Sequence, residues 1–315
     1  MLSRMRSFPD PFTAAVVQWS PSVNDAARGT ARACEAIAEA ATQHGARLIV
    51  FPEAWLTGYP YFEGLGPGAE YRRIYRDFVD QAVVIDGPEM QAIRRCAADH
   101  GVYVVMGLNE RNPIHQAVYN TIAFIGPDGS LLGKHRKMVA TITEKLVWTN
   151  WDGSDLAAYD TPLGRLGGMI CYEHLMAPAR YICCDLGVQV HIAVWPGYRF
   201  MDPIVDSVIR SLSMENACFV ISAREVMSRE LLPAGTPFGN HPNAWEAHGG
   251  SSIVAPGAVY VTEPVFDVET IVTGTINVPD LIDVKWWSNG VGNYSRPDIF
   301  RVIWDSSPKP PVERI

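Results

Sequence analysis

The stretch that decides the fold runs from Thr13 to Glu53. It reads "TAAVVQ" (Thr13 to Gln18), then "NDAARGTARACEAIAEAATQHG" (Asn24 to Gly45), then "ARLIVFPE" (Ala46 to Glu53). A short apolar run, a helical pattern and a second apolar run spell strand, helix, strand. Asn24 is the expected cap of the helix, and Gly45 marks where it should stop. The same alternation continues outward. "VYVVMGLNE" (Val102 to Glu110), "LGGMICYE" (Leu166 to Glu173), "VQVHIAVWP" (Val188 to Pro196) and "ACFVISAREV" (Ala217 to Val226) all read as strands. Several are apolar on both faces, so they belong in sheets covered on two sides, as in layered α/β proteins. Two segments differ. "YNTIAFIGPDGSLLGKHRK" (Tyr119 to Lys137) carries a Pro-Asp-Gly turn between two strand-like halves and is expected to be a hairpin. "GGSSIVAPGAVYVTEPV" (Gly249 to Val265) is expected to be a second, turning at Pro256 and Gly257. No internal repeat, low-complexity tract or Pro/Gly/Ser linker divides the chain. A single domain over residues 1–315 is expected, with 1–10 and 302–315 as tails.

Composition narrows the function. The chain has 315 residues, 48% hydrophobic and 19% charged, enough to bury a large core. A net charge of -8 and a pI near 5.5 remove the basis for binding nucleic acid or an anionic membrane, and the longest basic run is "KHRK" at Lys134 to Lys137. The expected partners are small molecules and other subunits. The opening "MLSRMRSFPDPF" lacks the apolar stretch of a signal peptide, and no later segment has the ~18 apolar residues of a membrane span, so cytoplasmic residence is the expectation. Six cysteines, Cys34, Cys96, Cys171, Cys183, Cys184 and Cys218, are too few and too scattered for a disulfide framework and show no zinc spacing. They are expected to be free thiols.

Three strand ends carry the chemistry. Cys171 closes an apolar strand, where open α/β sheets place ligand-handling residues, although a lone cysteine there is more often a small core hydrophobe. Its partners decide between the two. Glu53 follows "LIVFP", and Lys137 ends the first hairpin. A carboxylate and an ammonium at the ends of buried strands are costly unless paired or used. One reading is a structural ion pair. The other adds Cys171 to give a nucleophile, a general base and a cation for developing negative charge. A Cys/His pair with His174 or His191 is the competing arrangement. His191 reads more readily as a core histidine and His174 as a polar residue on the turn. Glu173 reads as a carboxylate that caps or pairs, and Lys134 as solvent-facing.

The chain resembles the nitrilase superfamily of carbon–nitrogen hydrolases over nearly its full length. The resemblance rests on "FPE" at Phe51 to Glu53, "GKHRK" at Gly133 to Lys137 and "CYEH" at Cys171 to His174, in that order and strand context. "GYPYF" (Gly58 to Phe62), "AVWPG" (Ala193 to Gly197) and "GNYSRPDIFR" (Gly292 to Arg301) look most like the true nitrilase branch. The resemblance implies a four-layer αββα sandwich. It implies Cys171 as nucleophile, Glu53 as proton acceptor and donor, and Lys137 as stabiliser of the tetrahedral species. Glu144 matches the second glutamate near that set. Hydrolysis of a nitrile to acid and ammonia follows, with no metal or organic cofactor and with homodimers or larger assemblies. Tyr59, Trp148, Tyr172 and Trp195 adjoin the motif-bearing segments and suggest an aromatic-lined cleft for an aryl or arylalkyl nitrile. Three departures from the family pattern are the proline at Pro178, one place late, Tyr172 in place of Trp, and His174 in place of Asn. The last resembles arylacetonitrile- and cyanide-processing members. Alternatives within the superfamily are an amidase or carbamoylase, and a hydratase that stops at the amide. A non-catalytic assembly or binding module is the alternative of a different kind.

Overall fold

A computed structural model describes residues 8–62, 68–228, 230, 246–309 and 312. Two mixed sheets form its centre. The first has the order β13 (Thr270–Ile276), β1 (Phe12–Gln18), β2 (Ala46–Val50), β3 (Tyr103–Arg111), β4 (Val118–Ile125), β5 (Leu131–Arg136). The second has the order β10 (Val226–Met227), β11 (Ala247–Ala255), β9 (Phe219–Arg224), β8 (Val190–Trp195), β7 (Gly164–Ile170), β6 (Ala158–Thr161), with β12 (Val259–Phe266) also paired to β11. Both expected hairpins form: β4 pairs antiparallel with β5, and β11 with β12.

Alternation along β1 shows why the strands are apolar throughout. Ala14 and Val16 face the second sheet, packing in one cluster with Ile170, Val194 and Val254, whereas Ala15 and Val17 pack with Ala33, Ile37 and Ile93 of the covering helices. Those helices are α1 (Ala26–His44) and α3 (Pro88–His100). On the far side, α4 (Ala177–Asp185) sets Ala179, Ile182 and Cys183 against Met169 of β7, and α5 (Asp202–Glu215) buries Val205, Ile209 and Leu212. The result is the expected αββα layering. Helix α2 (Ala69–Gln81) turns Tyr71, Ile74 and Phe78 onto Phe62 and the segment that follows β2.

Two expectations need correction. The cap of α1 is Asp25, whose side chain accepts from the Arg28 N–H, while Asn24 takes a left-handed φ of 51° just before it. Cys34 of α1 and Cys96 of α3 are disulfide-bonded, their Cα atoms 5.7 Å apart. Only Cys171, Cys183, Cys184 and Cys218 are free thiols. The two half-cystines lie 62 residues apart and meet because α1 and α3 pack side by side on the same sheet, a tertiary fact that cysteine spacing does not carry.

Candidate active site

Register brings the chemistry to one edge of each sheet. In the second sheet Ile170 of β7 lies beside Val194 of β8, and Val194 beside Ala223 of β9, so Cys171, Trp195 and Arg224 are the next residues along three adjacent parallel strands. In the first, Val50 of β2 pairs with Val105 of β3, and the Phe51 N–H still donates to the Val105 carbonyl at 2.8 Å. The chain then turns so that Glu53 points between the sheets. Gly107 permits that turn: a Cβ there would stand 1.8 Å from the Pro52 carbonyl oxygen. Beyond β5, the Lys137 N–H donates to the Asn120 carbonyl at 2.8 Å, carrying its side chain inward.

Lys137 is the hub. Its Nζ lies 3.0 Å from Glu53 Oε1 and 2.9 and 2.7 Å from the two oxygens of Glu144. Glu53, Glu144 and Cys171 each bring one donor atom within 4.8 Å of the others. Carboxylates and a thiol so grouped could hold a metal ion by donor type, but the Lys137 ammonium already bridges both carboxylates and supplies the positive charge. All four side chains are buried. Burial is the main force lifting the Glu53 carboxyl to about 8, with the neighbouring Glu144 charge adding to it and Lys137 opposing it. Burial also lifts the Cys171 thiol well above its usual value, helped by Glu53 and opposed by Lys137. For Lys137 burial works the other way, but the surrounding negative groups overcome it and hold the ammonium charged.

The surroundings fix these groups in place. Asn120 Nδ2 donates to Glu53 Oε1 at 2.6 Å, and the Glu144 carboxylate accepts from the Tyr59 hydroxyl at 2.7 Å and the Thr141 N–H at 2.6 Å. Glu144 thereby closes a capping box on the one-turn 3₁₀ segment Ile142–Leu146. The Trp148 ring stands 5.4 Å from Lys137 Nζ and edge-on to Tyr59, and its Nε1 donates to Asn109 at 2.8 Å. Tyr59, Glu144 and Trp148 thus gather around Lys137. Trp195 is fully buried, stacked on His174 with centroids 4.7 Å apart, while Tyr172 beside the cysteine is only partly covered.

Cys171 opens a second one-turn 3₁₀ segment, Cys171–Leu175, with a left-handed φ of 54° that a side-chain-bearing residue adopts only under constraint. Glu173 supplies part of that constraint. Its carboxylate accepts from the Ile170 N–H at 2.8 Å, the Met138 N–H at 2.6 Å and His135 Nε2 at 2.8 Å, tying the cysteine turn to the residues flanking Lys137. Burial would raise the Glu173 carboxyl, but His135 and these N–H groups hold it below its usual value. Glu173 therefore caps and pairs, as its sequence position suggests. His174 lies on that turn but is fully buried: Nδ1 lies 2.7 Å from the Cys171 carbonyl oxygen and Nε2 lies 3.0 Å from His191 Nε2. With both ring nitrogens engaged, neither is free to serve the thiol as a base. Lys134 does not face solvent alone either, since it joins Arg136 on the buried Glu110.

Sequence reading passed over Asn120, Asn109 and the Tyr61–Glu225 pair. The Tyr61 hydroxyl donates to Glu225 at 3.2 Å, and burial above all lifts the Glu225 carboxyl to about 7. A usable signal existed, because a polar residue inside an apolar strand such as "VYNTIAFI" must have a buried partner.

The carbon–nitrogen hydrolase family model matches residues 13–285. The chain belongs to the carbon-nitrogen hydrolase family. As a member it is a hydrolase acting on carbon–nitrogen bonds, within the nitrilase superfamily. Among similar proteins, nitrilase 2 of Arabidopsis thaliana is 33% identical over 317 residues, covering 95% of this chain and 90% of that protein. An aliphatic nitrilase of Sinorhizobium fredii is 34% identical over 311 residues, covering 96% and 98%. A bifunctional nitrilase/nitrile hydratase of Lupinus angustifolius is 30% identical over 311 residues, covering 95% and 87%. Among solved structures, the Caenorhabditis elegans NitFhit protein superposes with a TM-score of 0.78 at 18% identity, over 97% of this chain and 70% of that one. A Helicobacter pylori carbon–nitrogen hydrolase does so with a TM-score of 0.76 at 18% identity, over 92% and 97%. At that identity the superpositions establish the shared αββα fold. No helix among the described residues is long and apolar enough to cross a membrane.

Proposed function

We propose that this carbon-nitrogen hydrolase is a nitrilase, converting an organic nitrile and two waters to a carboxylic acid and ammonia. The observation that carries the reading is the buried convergence of Glu53, Glu144 and Cys171 within 4.8 Å around the Lys137 ammonium. In the resting site the thiol is protonated, and Glu53, in its ionised form, is the acceptor beside it. Glu53 takes the thiol proton as sulfur adds to the nitrile carbon, and the nitrile nitrogen collects the proton to give a thioimidate. Lys137 and the Tyr172 N–H hold the charge that develops. Water adds with Glu53 as base, ammonia leaves, and a thioester remains. A second water releases the acid and returns the thiol. Glu144 holds Lys137 and Tyr59 in place throughout.

Tyr59, Trp148 and Tyr172 are assigned to the cleft wall, with Trp195 closing it behind the cysteine turn; this aromatic set favours an aryl or arylalkyl nitrile. An amide product is the second reading, favoured by the similarity to the bifunctional lupin enzyme. The catalytic domain is taken to be the whole chain, with residues 1–10 and 302–315 as tails. Within the latter, Trp304 Nε1 donates to the Gly153 carbonyl at 3.0 Å. The test is a panel of aryl, arylalkyl and aliphatic nitriles and their amides, read as ammonia release with acid and amide quantified. Acid and ammonia from arylalkyl nitriles would support the reading. Turnover of amides alone would replace it with an amidase.

A further inference from the structure

Behind Cys171 lies a pair of histidines that the nitrilase reaction as written leaves unused. His174 and His191 are both fully buried, and burial pushes His174 down to about 4 and His191 well below its usual value. Both rings are therefore neutral at neutral pH, and each carries one N–H. Their placement decides which nitrogen holds it. His174 Nδ1 sits 2.7 Å from the Cys171 carbonyl oxygen, which can only accept, so Nδ1 carries the proton and donates. His174 Nε2 is then a bare lone pair. It lies 3.0 Å from His191 Nε2, which must be the donor, leaving His191 Nδ1 bare and, among the described residues, without a partner. The chain of donation runs one way, from His191 to His174 to the Cys171 carbonyl.

That carbonyl belongs to the same peptide group as the Tyr172 N–H. The peptide bond is trans, so the C=O and N–H point in opposite directions from a planar unit. Holding the oxygen on one side aims the N–H on the other, and donation to the oxygen polarises the N–H. The Tyr172 N–H lies against the Cys171 sulfur, where it favours the thiolate. It is therefore a backbone donor placed at the reacting atom. The His174 contact adds to the hold that Glu173 has on the left-handed Cys171 turn, and stacking on Trp195 fixes the plane of the His174 imidazole.

We propose that His191 and His174 form a buried donor relay that orients and polarises the Cys171–Tyr172 peptide, making His174 a positioning residue for thiolate formation and for the oxyanion donor. The proposal rests on the Cys171 nucleophile of the preceding section. It is tested by two readouts, one of which needs no nitrile.

The variants are His174→Phe, which keeps an aromatic ring on Trp195 but cannot donate, and the pair His191→Leu and His191→Gln, of which only the second can still donate to His174. The first readout is the rate of Cys171 carbamidomethylation by iodoacetamide against pH, located by peptide mass spectrometry. The second is kcat and KM on whichever nitrile the wild type hydrolyses best. Direct loss of an oxyanion donor costs ~10²–10³-fold, so loss of its support is expected to cost about 10-fold or more in kcat with KM within threefold. Alkylation should slow by a similar factor, its pH profile shifting upward. His191→Leu should follow His174→Phe, and His191→Gln should lie within threefold of wild type. The proposal is overturned if folded His174→Phe keeps kcat and alkylation rate within threefold of wild type. Where His174→Phe does not fold, it is overturned if His191→Leu and His191→Gln behave alike. A wild type that hydrolyses no nitrile would sink the nitrilase reading, and the alkylation profiles would still decide the relay.

Discussion

Glu53 illustrates how position alone turns an ordinary carboxyl into a candidate base. Removed from water, its charged form is disfavoured, and its carboxyl rises to about 8, while one lysine shared with Glu144 keeps the charge tolerable. The sign of the resulting pH dependence follows. Below about 8 Glu53 holds a proton and cannot take one from Cys171; above it the carboxylate is available. Activity of the free enzyme, as kcat/KM, should therefore climb through the neutral range, roughly tenfold per pH unit on its steep limb, and level off near or above 8. A rate profile flat from pH 6 to pH 9, with the fold intact, would contradict a Glu53 base. At this scale the sequence was highly legible. Glu53, Lys137 and Cys171 each stand at or just past a strand end, where register determines position, whereas Glu144 lies on the 3₁₀ turn after Lys137 and was marked only by the family resemblance. Glu173 was readable too, as a cap. The His174–His191 contact was not, because it joins residues on a turn and a neighbouring strand whose rings meet only after β7 and β8 pair.

Secondary-structure elements hold the site through a few close approaches. Gly107 of β3 is one, since any side chain there would strike the Pro52 carbonyl and push the Glu53 turn away from Lys137. Gly107→Ala should reduce kcat by about 10²-fold, as a misplacement of the order of 1 Å can, while circular dichroism at 25 °C remains that of the wild type. Unaltered kcat would show that the turn is not so constrained. The Cys34–Cys96 bond acts elsewhere, between α1 and α3 on the outer face of the first sheet. Replacing both with Ser should lower the melting temperature by roughly 5–10 °C, from about 2–4 kcal/mol of lost cross-link stabilisation, and leave kcat at 25 °C unchanged. The expected strands and hairpins were legible because apolar period and turn residues are local. The disulfide and the Asp25 cap were not, the first depending on helix packing and the second on which of two neighbouring candidates the turn admits.

Over the whole molecule, the two sheets bury their facing sides against each other, while the segment from Trp286 to Ile303 leaves several large apolar side chains outside. Trp286, Trp287, Tyr294, Phe300 and Ile303 are all more than half exposed, an unusual concentration for a surface in water. This motivates the proposed homodimer or larger assembly, with the segment from Trp286 to Ile303 at the contact. Sedimentation velocity should give at least a dimer, and Trp286→Lys with Phe300→Lys should shift it toward monomer; a monomeric wild type would remove the proposal. The central claim concerns the covalent step, and it is tested most directly by trapping it. Wild-type enzyme mixed with a slow arylalkyl nitrile, quenched in acid and digested, should carry the imidoyl or acyl mass on the peptide containing Cys171 and on no other cysteine peptide. Glu53→Gln, which keeps the shape but cannot accept the thiol proton, should carry little or none and turn over ~10²–10⁴-fold more slowly. An adduct on Cys183, Cys184 or Cys218, or normal labelling and turnover by Glu53→Gln, would contradict the account.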